Sequence, residues 1–360
     1  MRNKLIETGI QPPYDNITHV CLTPSIHALL QYLLLFDYDT TAHHTAYFTG
    51  YAVSKEIASR LPGVWIPFEQ TSDKQSLDRM FDKFRLRLAR HTRYSFLLKA
   101  KLFAFDVGFV PPLIGHSPYA LLSDGPLGLA QNTQSDSVDF QRQQHRRKTL
   151  SGRIEQLLFG PVALNRWGNN EQCRELYLTE KNDTPVLQGK KVNIASLREL
   201  WDKASNESKN FVKSVFDVSN EDISILNSRR FMFCTQPMVG DGILTHEEYL
   251  AILKPLFESY GTQNLLLKLH PRDTFDYQRY FPEVAVYGKK VNMQLLVLLG
   301  ANVERAITIC SSAVNSFPES VAVDWYGTDF HPKLHAWFGT MVPPYRAYEQ
   351  KTISPSAIHA

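Results

Sequence analysis

Three short polar clusters stand directly after apolar runs that predict buried strands. Ser123-Asp124-Gly125 follows YALL, His270-Pro271 follows NLLLKL, and Ser311-Ser312 follows RAITIC. Open parallel α/β sheets bind ligands at the carboxyl ends of their strands. These three clusters are therefore the candidate functional residues of the chain.

The side chains in the clusters suit the transfer of a group away from a phosphate. Asp124 is a carboxylate able to accept a proton from an attacking hydroxyl. His270 has an imidazole that titrates near neutral pH, which suits a charge-assisted donor or a general acid, and Pro271 fixes the backbone after the strand. Ser311 and Ser312 are predicted to open a helix, whose hydroxyls, N–H groups and dipole bind an anion without a metal. Each cluster alone is an ordinary turn or helix cap, so only the combination indicates a site.

The elements around the clusters alternate between strands and helices, which predicts α/β architecture with parallel sheets. In the N-terminal half, strands are expected near 17–23, 46–48, 64–67, 102–110 and 119–122. In the C-terminal half, where the pattern is that of a doubly wound domain, strands are expected near 231–235, 264–269, 284–287, 305–310 and 321–324. Helical periodicity covers 76–101, whereas 131–150 predicts a long loop.

A length of 360 residues predicts about two domains. We expect an N-terminal domain over 1–185 and a helical connection over 186–228. A C-terminal domain over 229–345 and a tail over 346–360 follow.

Composition excludes several classes of protein. The formal net charge of +3, from 39 Lys and Arg against 36 Asp and Glu, is too small for a dedicated nucleic-acid binder. The four cysteines form no C-x-x-C pair, which argues against a zinc ribbon and a disulfide framework. Neither a G-x-x-x-x-G-K-[ST] nor a G-x-G-x-x-G phosphate loop occurs. No signal-peptide pattern or apolar run of membrane-spanning length is found, so a cytoplasmic location is expected.

Two segments, 79–101 and 142–148, are rich in Lys and Arg. Such runs are either solvated helix faces or surfaces for anionic lipid head groups or an anionic substrate. Both interpretations stay open at this point.

The order S-D-G, K-L-H-P and C-S-S, after a first strand and helix beginning CLTPSIHALL, resembles the bacterial sialyltransferases of glycosyltransferase family 52 and the related bacterial polysialyltransferases. Those families carry a D/E-D/E-G, an H-P and an S-S/T motif. The similarity spans roughly residues 17–325. It implies a GT-B fold, in which two Rossmann-like domains face each other across a cleft. It also implies metal-independent, inverting transfer of sialic acid from CMP-sialic acid to a glycan hydroxyl, with no cofactor beyond the donor.

The resemblance assigns roles to individual residues. Asp124 corresponds to the catalytic base, and His270, followed by Pro271, corresponds to the histidine that contacts the CMP phosphate. Ser311 and Ser312 correspond to the phosphate-binding hydroxyls. Ser123 departs from the family pattern, because an acid often occupies that position.

The implied acceptors are lipid-linked glycans of the bacterial cell surface: lipooligosaccharide, O-antigen or capsule. Peripheral association with the inner membrane through the basic helix within 79–101 is therefore expected, while the oligomeric state, including a homodimer, stays open. One alternative is a GT-B enzyme that uses a UDP or GDP sugar, with Glu319 as a ribose ligand. Another is a non-catalytic protein that binds an anionic glycan or membrane surface through 79–101 and 142–148. No nucleic-acid partner is expected.

Overall fold

The computed structural model describes residues 6–8, 14–50, 52–67, 76–124, 138–181, 188–341 and 346–353, without the side chains of 76–79, 138–140 and 142. The chain divides into two compact units, Met1–Asp217 and Val218–Ala360. This boundary falls inside the segment 186–228 that the sequence suggested as the connection.

The first unit is built on an eight-stranded sheet with the order β1-β4-β3-β2-β5-β6-β7-β8. Its strands are β1 (Ile6–Thr8), β2 (His19–Thr23), β3 (Thr45–Gly50), β4 (Gly63–Ile66), β5 (Lys101–Ala104), β6 (Tyr119–Leu122), β7 (Cys173–Leu178) and β8 (Lys191–Ile194). β1 pairs antiparallel with β4, and the other neighbouring strands pair in parallel. The central strands are buried on both faces, which agrees with their unbroken apolar sequences.

Helices connect and cover these strands. They are α1 (Ile26–Leu35), α2 (Tyr38–His43), α3 (Lys55–Ala58), α4 (Ser76–His91), α5 (Val110–Ile114), α6 (Val138–Lys148), α7 (Leu150–Phe159), α8 (Leu197–Lys203) and α9 (Asn206–Phe216). Single 3₁₀ turns occupy Ser95–Leu98 and Pro161–Ala163. α1 is buried along almost its whole length and packs against α8 and α9. The first part of the segment 186–228 therefore belongs to the first unit, since β8 extends its sheet and α8 and α9 cover α1.

The second unit contains a six-stranded, fully parallel sheet with the order β11-β10-β9-β12-β13-β14. Its strands are β9 (Phe231–Cys234), β10 (Leu265–Lys268), β11 (Ala285–Tyr287), β12 (Arg305–Thr308), β13 (Ala322–Trp325) and β14 (Glu349–Gln350). Its helices are α10 (Asn220–Leu226), α11 (His246–Tyr260), α12 (Tyr277–Tyr280), α13 (Met293–Leu298) and α14 (Pro332–Phe338), with 3₁₀ turns at Thr262–Asn264 and Ser312–Ser316. β14 lies in the segment 346–360 that the sequence suggested as a tail.

Both sheets have the strand order of doubly wound α/β folds, so the fold class predicted from the sequence is confirmed. Three local predictions are wrong. The strand expected over 102–110 ends at Ala104, and Pro111 and Pro112 lie in the first turn of α5. The helix expected to continue to 101 ends at His91. The second half of the loop expected over 131–150 is helical in α6, and 131–137 lie outside the described residues.

Within the ranges described above, none of the helices has the length and apolar character needed to cross a bilayer. The same part of the chain holds no group of three or more His, Cys, Asp and Glu side chains placed to bind a metal ion.

Candidate active site

Asp124 lies two residues beyond β6, at the carboxyl end of that strand. The neighbouring strands β5 and β7 run parallel to β6, so the three strands end at the same edge of the sheet. This is the edge at which open α/β sheets bind ligands. Gly125, the third residue of the Ser123-Asp124-Gly125 cluster, lies outside the described residues.

Ser25 contacts Asp124 directly, although 99 positions separate them in the sequence. The Ser25 hydroxyl donates a hydrogen bond to Asp124 Oδ1. The same hydroxyl oxygen caps α1 by accepting a hydrogen bond from Ala28 N at 3.3 Å. Ser25 N donates to Thr23 Oγ1 at 2.9 Å, which fixes the turn between β2 and α1. The carboxylate is therefore held by a rigid helix start.

The position before Asp124 is buried and is anchored through its backbone. Ser123 N donates to Gln31 Oε1 at 3.0 Å and to the carbonyl oxygen of Tyr177 at 3.2 Å. Ser123 is 5% exposed, and its hydroxyl has no hydrogen-bond partner in the described part of the chain. A carboxylate here would lie in the same buried position and need partners of its own. Where the family motif often has an acid, this chain thus has a small neutral side chain, and burial of an unpaired carboxylate there would be energetically unfavourable.

The environment of Asp124 tunes its acidity. Part of the side chain reaches solvent, yet protein atoms crowd the carboxylate. Burial raises the pKa of Asp124 to about 6, while the hydrogen bond from Ser25 acts in the opposite direction. A carboxyl group with this pKa is ionised at neutral pH and still basic enough to accept a proton during a reaction.

In the second unit, three adjacent strands end at one level. Lys268 at the end of β10 and Thr308 at the end of β12 both pair with Cys234 at the end of β9. The chain adds β10 and β11 on one side of β9, and then β12 and β13 on the other side. The place beside β9 where this direction reverses is the switch point at which doubly wound sheets bind ligands. His270 follows β10, and Ser311 and Ser312 follow β12.

Two buried threonines tie these strand ends together. Thr235 Oγ1 accepts a hydrogen bond from His270 N at 2.9 Å. Thr308 Oγ1 accepts from Ser311 N at 2.8 Å and donates to the carbonyl oxygen of Cys234 at 3.0 Å. Thr235, which directly follows β9, therefore fixes the backbone of His270. Thr308, at the end of β12, fixes the backbone of Ser311.

His270 is held in one protonation state and one tautomer. Burial, Arg272 and Lys268 lower the pKa of His270 to about 4, and Asp241 opposes them. His270 Nδ1 accepts a hydrogen bond from Arg272 N at 3.2 Å, which assigns the ring proton to Nε2. With this pKa, the side chain before any anion binds is a neutral imidazole that donates from Nε2, and its role as a charge-assisted donor to a bound phosphate stays a prediction. The lowered pKa arises from burial that the sequence does not reveal.

The loop after His270 is a tight turn with its own supports. Asp273 N donates to the carbonyl oxygen of His270 at 2.9 Å, which places Pro271 at the second position of a β-turn. Arg272 binds both carboxylate oxygens of Asp241, at 2.7 and 2.9 Å. Asp273 accepts from Tyr277 Oη at 2.8 Å. These contacts fix the direction of the imidazole.

Ser311 and Ser312 differ in environment. Ser311 is buried and caps the following turn by accepting from Ala313 N at 3.4 Å, so its hydroxyl has a structural task. Ser312 is exposed, and no described residue hydrogen-bonds to its side chain. The expected helix is only the five-residue 3₁₀ turn Ser312–Ser316, which Phe317 and Pro318 end. The prediction that the dipole of a helix helps to bind an anion at this point is therefore wrong.

Glu319 lies in the turn that precedes β13, outside any helix. Because β13 starts in register with the start of β12, Glu319 is near the amino ends of the strands. His270 and Ser312 stand at the opposite, carboxyl ends. The position of Glu319 gives no support to a ribose-binding role.

The structure thus assembles two half-sites. Asp124 meets Ser25 in the first unit, and His270 and the Ser311-Ser312 turn follow the two strands that flank β9 in the second. Sequence reasoning identified Ser25 only as a helix start and did not single out Thr235 or Thr308. The sequence feature that could have identified them is a serine or threonine at or just after the end of an apolar strand. The sharing of one cleft by the two half-sites stays a prediction.

Comparisons with solved structures identify the fold. The structure of the GT-B domain of a Photobacterium damselae sialyltransferase matches with a TM-score of 0.52 at 13% identity, covering 87% of this chain and 92% of that one. A 2,6-sialyltransferase from Photobacterium sp. JT-ISH-224 matches with a TM-score of 0.58 at 11% identity, covering 89% of this chain and 75% of that one. At such low identity these matches show the fold alone, and they confirm the two-domain GT-B class.

Sequence comparisons identify the family. An uncharacterized protein of Haemophilus influenzae is 32% identical over 179 residues, a match that spans 50% of this chain and 58% of that protein. The model of glycosyltransferase family 52 matches residues 114–334, more than half of the chain, and this range contains Asp124, His270 and Ser312. The chain therefore belongs to glycosyltransferase family 52.

Proposed function

We propose that this family 52 member is a sialyltransferase that transfers sialic acid from CMP-sialic acid to a glycan hydroxyl with inversion. The observation that carries the proposal is Asp124, a strand-end carboxylate whose pKa of about 6 suits proton abstraction near neutral pH. The Photobacterium 2,6-sialyltransferase of similar fold was solved with CMP and lactose, which supports a nucleotide donor and a glycan acceptor here.

In the proposed reaction Asp124 acts as the general base. The acceptor oxygen attacks the anomeric carbon of sialic acid while the bond from that carbon to the CMP phosphate breaks, and Asp124 accepts the hydroxyl proton. Attack from the face opposite the leaving group inverts the configuration, through a transition state with oxocarbenium character as in glycosidases. Ser25 holds the carboxylate in place through its hydrogen bond.

His270 and Ser312 would stabilise the departing CMP. Negative charge grows on the phosphate as the bond breaks, and the His270 Nε2–H and the exposed Ser312 hydroxyl are donors suited to it. One well-placed donor of this kind contributes about 3 to 4 kcal/mol to transition-state stabilisation. Because the leaving phosphate is already a stable anion, a neutral imidazole that donates a hydrogen bond is sufficient.

The proposed chemistry needs no metal ion and no cofactor beyond the donor. At the phosphate, hydrogen bonds from His270 and Ser312 provide the stabilisation that a metal ion would otherwise supply. Accordingly, we expect a chelator such as EDTA to leave the transfer rate unchanged. A rate that collapses with EDTA and returns with a divalent ion would contradict this part of the proposal.

The acceptor that we propose is a lipid-linked glycan of the bacterial cell surface, such as lipooligosaccharide, O-antigen or capsule, met at the cytoplasmic face of the inner membrane. The motif resemblance supports this substrate class, and the linkage depends on the shape of the acceptor pocket. A panel of glycans with terminal galactose or terminal sialic acid tests the class directly.

Calorimetry with CMP, UDP and GDP separates the proposed donor from those of other GT-B enzymes. We expect CMP to bind at least tenfold more tightly than UDP or GDP, a difference of about 1.4 kcal/mol. The carboxylate expected to bind a UDP or GDP ribose, Glu319, is at the amino ends of the strands, which argues against that rival. Preferential binding of UDP or GDP would refute the proposed donor.

A further inference from the structure

Helix α4 carries three cations on the side that faces the rest of the first unit. Lys83, Arg87 and Arg90 recur at spacings of four and three residues, which places them on one face of the helix. Lys83 and Arg87 are half-buried, and Arg90 is 2% exposed. Basic side chains are rarely buried so deeply unless an acid pairs with them. The interpretation of 79–101 as a solvated helix face is therefore wrong for Arg90.

Glu155 of α7 contacts one end of this row of cations, and its charge is already neutralised. Lys83 Nζ donates to Glu155 Oε1 at 2.5 Å, and Arg146 binds the other carboxylate oxygen. Neither Arg87 nor Arg90 forms an ion pair with any residue in the described part of the chain. Two positive charges in the interior of the first unit are thus left without a counter-charge.

The two unpaired guanidinium groups meet beside Gly115, the residue that ends α5. A side-chain Cβ at position 115 would lie 1.8 Å from Arg87 Nη1 and 2.9 Å from Arg90 Nη1, so both groups lie in the space that a larger residue would fill. Arg90 donates to Ser117 Oγ. Arg90 Nε and Arg87 Nη1 are buried and have no hydrogen-bond partner among the described residues. Both arginines therefore keep donors that no protein atom satisfies.

The electrostatic environment at this point is positive. Burial and the neighbouring charge of Arg87 lower the pKa of Arg90 to about 10. Burial, Arg87 and Arg90 together lower the pKa of His91. Both guanidinium groups nevertheless stay protonated at neutral pH. A buried charge without a partner is strongly unfavourable, and a bound anion would relieve this cost.

We infer that Arg87, Arg90 and Ser117 form a binding site for a phosphate group, either as inorganic phosphate or as a sugar phosphate monoester. The two guanidinium groups offer two positive charges and several N–H donors, which match the charge and the oxygens of a phosphate dianion. Arg87 is partly exposed, which gives the anion a route to Arg90. The site uses neither Asp124 nor His270, so it goes beyond the proposed function.

Calorimetric titration of the full chain with inorganic phosphate tests this inference in the absence of nucleotide and glycan. Chloride keeps the ionic strength constant, so general screening does not contribute. The test variant is Arg87→Met, because this position is partly exposed and Met keeps a long side chain. The matched control is Arg85→Met, which removes the same charge from an exposed position of α4. His270→Ala is a second control, because phosphate bound at the proposed donor site would depend on His270.

We expect the wild type to bind phosphate, and Arg87→Met to bind it at least tenfold more weakly, while Arg85→Met and His270→Ala keep the Arg87-dependent binding. Phosphate should also raise the melting temperature of the wild type more than that of Arg87→Met. Tighter binding of glucose 6-phosphate than of inorganic phosphate would assign the site to a phosphorylated sugar, and the reverse order would assign it to the free anion. The inference is overturned if phosphate does not bind, or if Arg87→Met binds it as tightly as the wild type.

Discussion

The hydrogen bond from Ser25 to Asp124 predicts how the pH dependence of the reaction responds to Ser25→Ala. This bond favours the ionised carboxylate, so its loss should raise the pKa of Asp124 above about 6. Hydrogen bonds to charged groups contribute about 1.5 to 3 kcal/mol when buried. Because Asp124 also reaches solvent, we take the lower end, which corresponds to about one pKa unit.

A general base must be ionised, so the acid limb of the pH–rate profile should move upward by the same amount. With pKa values of about 6 and about 7, the ionised fraction falls about fivefold at pH 6, about twofold at pH 7 and negligibly at pH 8. The assay is kcat for transfer from CMP-sialic acid to a soluble glycan between pH 5 and 9. The variant should therefore recover nearly full activity in alkaline buffer.

The controls separate the carboxylate effect from the loss of a helix cap. Ser25 also caps α1, and replacing a cap by Ala costs about 1 kcal/mol of stability, whereas Gly costs only a few tenths. Ser25→Gly should therefore reproduce the pH shift with less destabilisation. Ser205→Ala removes the comparable cap of α9 and should leave the profile unchanged. An unshifted acid limb in both Ser25 variants would refute the assignment of Asp124 as the base.

Three further substitutions test individual contacts. Asp124→Asn should lower kcat by about 10² to 10⁴ with little change in the CMP affinity measured by calorimetry, and a variant with wild-type kcat would contradict the base role. In thermal melts, Asp124→Asn should be stabilised relative to wild type above pH 6 and equal to it below pH 4, because the folded state disfavours the ionised carboxylate. His270→Ala should weaken both CMP binding and kcat. Since the pKa of His270 is about 4, its ring should show no titration step near pH 6.5 in NMR spectra of the ligand-free protein, and such a step would contradict the neutral state. Asp106 accepts hydrogen bonds from Tyr119 Oη, Trp167 N and Gly168 N. Asp106→Ala should therefore destabilise the first unit by about 1 to 3 kcal/mol for each buried donor that loses its acceptor. An unchanged melting temperature would contradict the structural role of Asp106.

Local apolar pattern was enough to predict much of the fold. Runs such as YALL and NLLLKL are buried on both faces, and their strand ends carry the candidate residues as expected. The edge strand β8 escaped detection because KVNI is only four residues long, is partly exposed and follows a segment rich in turn-forming residues. Helix α6 escaped because its sequence is polar all round, so no period was visible.

The candidate site depends on contacts between segments that are distant in the sequence, and local sequence patterns do not predict such contacts. That Ser25 meets Asp124 requires the carboxyl ends of β2 and β6 to approach across β5. The low pKa of His270 arises from burial and from Lys268 and Arg272 acting together. Residue type therefore indicated the chemistry, while the tertiary packing determined the protonation states.

The proposed activity is the transfer of sialic acid from CMP-sialic acid to a glycan. Its most direct test is incubation of the purified chain with CMP-sialic acid and a panel of glycans, followed by mass spectrometry of the products. At least one glycan should gain the mass of one sialic acid residue, and this product should be lost in Asp124→Asn. Transfer from a UDP or GDP sugar, with no product from CMP-sialic acid, would contradict it.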